Sequence, residues 1–443
     1  MSEPPAQPQS QNASFTWGVR AYVLAVLLLT YIVNVMDRGV LALLAQSISK
    51  EFGLSDFQLG VLVGLPFAIC YSTLGIPIAA IADRTSRRGV LAACCALWSV
   101  ATAVCGAAFN YFSLIVGRAL TAVGEAGGTP PSHSLISDYF SREERATALS
   151  VYALGVPIGT MAGNLFGGWG NHFFGWRATF LLVGLPGLLV AGLVWFTIKE
   201  PARGHSEIGA PKRVEKAPPL LDVVKFLAGY ASFRHMCLAA GLHSVVWYAG
   251  SQLNAVFFER SHGMSSGQAG TWLAFFAGVG ALGTLLGGLI SDRLSARTGD
   301  RRWYMWVPGT ATLVMVPFQF FAYLSNDLDL VIPSFFIMIS LASMFFGPSF
   351  AVSQTLATLR SRAVATSLLL LVQTLVGLGL GPLVAGQISQ SLRPHIGDDS
   401  FRYGLCIVGF VNLWAAYHYF AGARSIRQDV ENTERLNRAS QTA

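Results

Sequence analysis

The sequence predicts an all-α integral membrane fold of about twelve transmembrane helices in two pseudo-symmetric six-helix bundles. Three observations predict it. The 443 residues are 53% hydrophobic and only 12% charged, where a soluble domain carries about 25% charge. Apolar runs of about 20 residues, the length that crosses a bilayer, recur along almost the whole chain. A polar interval near 199–233 divides these runs into two sets, and one loop sequence recurs on either side of it. Backbone groups in lipid must bond within their own segment, so the runs are helices.

Residues 1–19 read as a disordered cytoplasmic tail, because residues 1–16 are polar, rich in Pro, Gln and Ser, and lack a basic n-region. An N-terminal bundle over 20–198 follows, with spans near 20–44, 57–82, 89–108, 111–137, 146–171 and 177–198. Residues 199–233, containing EPARGHSEIGAPKRVEKAPP, read as a cytoplasmic linker. Within it, LLDVVKFL at 220–227 has the pattern of a short amphipathic helix on the membrane surface. A C-terminal bundle over 234–423 has spans near 235–259, 269–291, 303–325, 328–356, 364–391 and 401–423, and 424–443 is a second cytoplasmic tail.

The charge distribution orients the chain. The net charge is +7, which by itself could suggest a nucleic-acid partner. With both termini cytoplasmic, however, roughly 23 of the 30 Lys and Arg residues fall on one side. About five, Lys50, Arg177, Arg260, Arg393 and Arg402, fall on the other, and Arg38 and Arg118 lie inside spans. This is the positive-inside bias of a multi-pass protein in a plasma or inner membrane, and no nucleic-acid partner is expected. The cysteines (Cys70, Cys94, Cys95, Cys105, Cys237 and Cys406) sit in apolar helix sequence without metal-ligand spacing and read as packing residues. No phosphate loop, dinucleotide fingerprint or paired His ligands occur, so neither a cofactor nor a metal is expected. No stretch is long enough for a nucleotide-hydrolysing domain. No nucleophile, base and orienting group can be assembled from the buried polar residues, which argues against an enzyme.

The halves echo each other. AAIADRTSRR, with Asp83 and Arg84, stands between spans two and three; GGLISDRLSARTGDRR, with Asp292 and Arg293, stands 209 residues later between spans eight and nine. Internal repeats of this size mark secondary transporters, whose substrate site lies between the halves near mid-membrane. The Asp-Arg loop with its trailing basic residues resembles the loop motif of the major facilitator superfamily, although Ala79 and Ser86 stand where glycines are common. GVPIGTMAG in span five, with Gly155, Pro157, Gly159 and Gly163, resembles that superfamily's glycine-proline motif. A narrower resemblance, to the Spinster family, rests on YIVNVMDR, GRALTAVGEAGG and KEPARG. The matched positions are Asn34, Asp37, Arg38, Arg118, Gly124, Glu125, Ala126, Glu200, Pro201, Arg203 and Gly204. That resemblance implies transport of sphingolipid or lysophospholipid, with proton coupling, and the superfamily resemblance implies a monomer.

Four ionisable residues fall inside spans: Asp37, Arg38, Arg118 and Glu125. A charge at a span centre costs roughly 2.5–3.5 kcal/mol on insertion scales, so each should face a cavity or another charge. Asp37 lies about 25 Å along span one, beyond the midplane. Arg118 and Glu125 are seven residues apart, two turns, and share a face of span four. Neighbours on one helix point about 100° apart, so cross-helix pairing is expected, Asp37 with Arg118 or Arg38 with Glu125. Asp37 and Glu125 are assigned to proton coupling, and Arg38 and Arg118 to an anionic head group, since a guanidinium fork donates two bonds to phosphate. The bland alternative is a permanent ion-pair lock between the two spans.

The second half holds almost no formal charge within its spans. Span seven offers His243, Trp247, Tyr248, Gln252 and Asn254, of which His243, Trp247, Tyr248 and Asn254 are candidate substrate contacts. Span ten is rich in Phe and Met. Asp83, Arg84, Asp292 and Arg293 are expected to form a conformational gate at the cytoplasmic edge, and the glycines of span five to mark a moving interface. The leading reading is a proton-coupled transporter of an amphipathic lipid-like substrate. A small organic anion fits the two arginines equally well, a hydrophobic-drug exporter is third, and a membrane sensor that does not transport is the reading from another class.

Overall fold

The computed structural model describes residues 15–207, 220–358 and 361–442. Residues 1–14 of the expected tail and 208–219 of the expected linker lie outside the described residues. Helix starts and stops follow from local chemistry at two matched turns. α1 (Trp17–Phe52) ends at Gly53 in the left-handed region (φ 62°), and Ser55 and Gln58 form a capping box on α2 (Asp56–Arg84). Some 210 residues later, counting from Gly53 to Gly263, the same device recurs. Gly263 (φ 63°) ends the 32-residue helix Ala231–His262, and Ser265 and Gln268 cap the helix that follows.

The remaining elements of the first half are α3 (Arg87–Cys105), α4 (Tyr111–Ala126), α5 (Thr129–Tyr139), α6 (Arg142–Ala153) and α7 (Gly155–Thr197). The linker gives α8 (Leu220–Gly229), as its amphipathic pattern predicts. The second half comprises α9 (Ala231–His262), α10 (Ser266–Thr298), α11 (Trp303–Leu324), α12 (Leu328–Ser343), α13 (Phe346–Thr355), α14 (Arg362–Val372), a π turn at Gln373–Leu378, α15 (Gly379–Ile396), α16 (Ser400–Gly409) and α17 (Val411–Ala423). α18 (Ile426–Thr442) closes the chain.

Eight helical stretches among the described residues are long and apolar enough to cross a membrane. Two of these, Glu143–Thr197 with 55 residues and Val364–Ala423 with 60, cross twice. In the first, the chain doubles back at Gly175 (φ 77°), which sets Gly170 against the Thr179 side chain. α4 with α5, and α9, are more polar and complete twelve crossings. The fold is the all-α membrane architecture in two bundles that the sequence predicts.

The basic end of each bundle is tied by charge. Arg87, 1% exposed, donates to Asp138, to Glu200 Oε1 at 2.8 Å and to the Pro201 carbonyl at 2.8 Å. Arg203 donates to the carbonyls of Ala82 and Thr85, and the Gly204 N–H donates to Asp138 Oδ1 at 2.9 Å. KEPARG is therefore a clamp joining the end of α7 to the α2–α3 loop and the end of α5. Removing one member of a buried ion pair costs about 3–5 kcal/mol. Arg87→Ala should accordingly lower the thermal unfolding temperature in detergent by several degrees, and an unchanged melting curve would refute the clamp.

The expected disorder at the N-terminus is shorter than 1–19, and the second expected tail carries a helix. α1 already runs from Trp17, within the stretch expected to be disordered. Residues 426–442 form a helix that ties the second half: Arg427 Nη2 donates to Asp300 Oδ2 at 2.6 Å, and Asp429 Oδ2 accepts from Ser232 Oγ at 2.6 Å. Ile426 and Val430 enter an apolar cluster with Met305, Phe345 and Val352.

The halves meet at the end away from these clamps. α2 packs on α15 and the π turn, α7 on α10, and α1 on α9. A side chain at Gly60 would run into the Pro382 carbonyl, and one at Gly270 into the Asn164 carbonyl. Gly60 and Gly270 are again 210 residues apart, so glycine admits the opposite half at equivalent places. Gly64, Gly168 and Gly386 likewise meet the opposite half at this end.

Candidate functional site

The four intramembrane charges stand together in the first half. α1 carries Asn34, Asp37 and Arg38 over little more than one turn, and α4, running the other way, carries Arg118, Thr121 and Glu125. Small residues bring α4 against α3: Gly124 meets the backbone of Trp98, and Gly117 meets Cys105. The four intramembrane charges of α1 and α4 share one electrostatic cluster.

Their pairing is specific. Arg38 Nε and Nη2 both reach Glu125 Oε2, at 3.0 and 2.9 Å, and Nη2 lies 3.4 Å from Asn34 Oδ1. Of the two expected cross-helix pairs, this is the one realised as an ion pair. Asp37 instead accepts from the Thr102 hydroxyl, which lies 3.3 Å from Thr121 Oγ1. Arg118 faces the same cluster, and its Nε and Nη1, together with Asp37 Oδ1 and Glu125 Oε1, make no hydrogen bond to protein.

Exposure divides the two arginines. The Arg38 side chain is 31% exposed, whereas Glu125 beneath it is fully enclosed and Arg118 is 2% exposed. Between the arginines stands Phe67 of α2, with Arg38 5.0 Å and Arg118 5.5 Å from its ring centre. Tyr71, one turn on, covers Arg38 at 4.9 Å. Each contact is a cation–π attraction, worth more away from water. Phe67 and Tyr71 carry no charge and stand in an ordinary apolar run, so sequence reasoning passed over them.

The second half contributes less than its polar residues promised. Tyr248 joins Phe67, Tyr71, Ala122 and Leu378 in one apolar cluster that crosses between the halves. Trp247 is half-buried and meets Phe346 edge-on at 5.7 Å. His243 and Asn254 turn inward. His243 is 1% exposed, with Nε2 2.9 Å from the Ala342 carbonyl and Nδ1 3.2 Å from Thr312 Oγ1. Asn254 Oδ1 accepts from the Tyr323 hydroxyl at 2.8 Å. Both polar groups are spent inside their own bundle, away from the four charges.

Asp83, Arg84, Asp292 and Arg293 are all exposed at the basic end, and Asp292 accepts from Tyr304 of its own half at 2.7 Å. The span-five glycines also differ from expectation. Gly155, Gly159 and Gly163 pack on Tyr31, Ile32, Val35 and Met36 of α1, within one half. The crossing to the other half comes later on α7, where the Gly168 carbonyl accepts from Ser266 Oγ at 3.1 Å.

A cross-half ion pair at the closed end escaped the sequence reading. Asp56, the first residue of α2, is 1% exposed and accepts from Arg260 Nη1 and from Ser389 Oγ, each at 2.6 Å. Arg260 Nε also donates to Gln46 Oε1 at 2.7 Å. Asp56 and Ser266 occupy equivalent helix starts, and each bonds across to the other half. The signal was present as the repeated pattern Gly-x-Ser-x-x-Gln-x-Gly at 53–60 and 263–270. Among the described residues no group of three or more His, Cys, Asp and Glu is placed to hold a metal ion.

The family model of the Major Facilitator Superfamily matches residues 27–382. An MFS-type efflux pump of Mycolicibacterium smegmatis is 30% identical over 439 residues, covering 97% of this chain and 99% of that protein. The D-galactonate transporter of Escherichia coli is 30% identical over 187 residues, 42% of this chain and 43% of that protein. Among solved structures, a bacterial homolog to the human lysosomal transporter Spinster, in an inward-facing and unoccupied conformation, superposes with a TM-score of 0.86 at 31% identity, covering 94% of this chain and 99% of that one.

Proposed function

The chain belongs to the Major Facilitator Superfamily, and we propose that it is a proton-coupled transporter of an amphipathic, anionic, lipid-like substrate of the lysophospholipid or sphingolipid type, working by alternating access. One observation carries the reading: a partly exposed guanidinium, Arg38, lies over an enclosed carboxylate, Glu125. A phosphate that takes the Arg38 fork removes the ion pair from Glu125. An unpaired carboxylate is costly out of water, so Glu125 then takes a proton. Anion and proton occupy the site together. Asp37 is the second proton site, held by Thr102 within the field of Arg118. Arg118 acts on these carboxylates, and Arg38 alone meets the head group. Tyr248, Tyr71 and Trp247 receive the apolar part.

In this proposal the basic loops and both termini are cytoplasmic, and the protein works as a monomer in a plasma or inner membrane, without cofactor. The site is then reached from the inner side, Asp56–Arg260 holds the outer gate shut, and Asp83, Arg84, Asp292 and Arg293 act when the inner gate closes. The likeness to the D-galactonate transporter favours a second reading, a small organic anion as substrate. Binding that tightens with acyl-chain length supports the lipid; binding of short carboxylates without that trend supports the other.

The coupling is tested by flux into proteoliposomes under an imposed pH gradient. Asp37→Asn should lower gradient-driven uptake at least about tenfold, roughly 1.4 kcal/mol. Unaltered uptake removes Asp37 from the coupling, and absence of any flux in the unaltered protein favours a sensor.

A further inference from the structure

Away from the four intramembrane charges, at the basic end, α8, the first turns of α9 and the last turn of α14 enclose a groove of 220 Å³. Its walls are Val224 and Ala228 of α8, Phe233 and Cys237 of α9, and Leu371 and Val372 of α14. Leu371 is 37% exposed, so the groove is open at the surface of α14. Gly241 lets α14 approach, since a side chain there would lie 2.9 Å from Val372 Cγ1.

Arg234 stands on the groove wall and is exposed. Its Nη1 donates to the last carbonyls of α8, Ala228 at 2.6 Å and Gly229 at 3.1 Å. That fixes the guanidinium beside an otherwise apolar surface. α8 adds exposed Lys225 on the same side of the membrane, against exposed Asp222. Val223 and Leu227 anchor α8 in the core of the second half, while Leu221 is 62% exposed. α8 therefore lies where hydrocarbon gives way to head groups.

We propose that this groove is a binding site for one anionic glycerophospholipid of the bilayer, an acyl chain between α8 and α14 and the phosphate on Arg234. The volume is below the roughly 300 Å³ at which small-molecule pockets begin, which suits part of a chain and not a whole ligand. An apolar slot with a fixed fork at its edge matches a lipid's division into tail and phosphate. The site has a structural consequence. α14 is the half-span that leads into the π turn at Gln373–Leu378, and π turns are frequent at functional sites. A chain lodged against Leu371 and Val372 props α14 away from α8, so occupancy bears on how that half-span moves. The proposal does not depend on what the protein transports.

The test is native mass spectrometry of the full chain in detergent, titrated separately with phosphatidylglycerol and phosphatidylcholine. The unaltered protein should retain one phosphatidylglycerol at about a fivefold lower concentration than phosphatidylcholine, the preference expected from one basic side chain at an anionic head group. Leu371→Trp, which fills the groove from its open side, should abolish retention of that molecule. Arg234→Gln should retain both lipids equally. Equal retention by the unaltered protein, or a Leu371→Trp protein that keeps the preference, overturns the proposal. Because Arg234→Gln also removes a cap from α8, Leu371→Trp decides alone if the former does not fold. Arg38→Ala/Glu125→Gln, which leaves no unpaired buried charge, should keep the preference; its loss in a variant with an unchanged melting temperature would put the lipid at the four charges and overturn the assignment.

Discussion

Arg38→Ala should abolish substrate-driven flux, by about a hundredfold or more, and Arg38→Ala/Glu125→Gln should recover the stability but not the substrate binding. The single change removes the cation that makes both bonds to Glu125 Oε2. Glu125 is then an unpaired carboxylate in a fully enclosed position, which costs about 3–5 kcal/mol unless it is protonated. Lower stability alone would thus account for a dead single variant. The double variant separates the effects, because glutamine carries no charge that needs a partner. If Arg38–Glu125 is only a lock between α1 and α4, the double variant binds substrate normally. If Arg38 receives the anion, substrate binding to the purified double variant stays lost about a hundredfold, roughly 2.7 kcal/mol; binding decides here because Glu125→Gln by itself removes a proton site and lowers coupled flux. Arg38→Lys should fall between the two, keeping the charge and losing the fork. The paired measurements are melting temperature and substrate binding in detergent, with initial flux in proteoliposomes for the single variants.

Asp56→Asn should shift the protein away from the conformation seen here, opening the end at which the halves now meet. Asp56 receives Arg260 from α9 and Ser389 from α15, so one carboxylate ties both of these helices to α2. A hydrogen bond to a charged group contributes about 1.5–3 kcal/mol, which corresponds to a shift of roughly 10- to 150-fold in the ratio of the two states. Asparagine retains the shape and one acceptor, so the folded bundle should survive. Spin labels at Phe109, 79% exposed, and Asp398, whose side chain is 89% exposed, report the separation of the halves at that end. In a cysteine-free background the variant should gain a population at longer distance. An unchanged distance distribution would show that apolar contact, such as Gly60 on Pro382, suffices to hold the end closed.

The spans and the division into halves were legible because hydropathy reports directly on the bilayer. The four intramembrane charges were legible for the same reason, since each is costly where it stands. The segments that went astray lie outside the hydrocarbon. Residues 426–442 have no apolar run and read as a tail, yet Arg427 and Asp429 find Asp300 and Ser232. Those partners are brought near by the bundle and by nothing local. KEPARG was legible as a motif but not as a clamp, because Arg87 meets Glu200 and Asp138 only after six spans have packed. His243 and Asn254 looked like substrate contacts because polar groups in a span need partners; the partners turned out to be Ala342, Thr312 and Tyr323 of the same half.

By itself the sequence determined that the chain spans a membrane in two related halves, and that the charge within the spans lies in the first. Only the tertiary structure decided which of those charges is reachable. Arg38 and Arg118 carry the same cost in lipid and bind anions equally well on paper, yet one is 31% exposed in its side chain and the other 2% exposed. The physical reason is that lipid tails and a bundle interior are equally apolar. Hydropathy fixes how deep a residue sits but not which way its helix turns. Here that rotation is set by Phe67 and Tyr71 on a neighbouring helix and by glycines that let α3 approach α4.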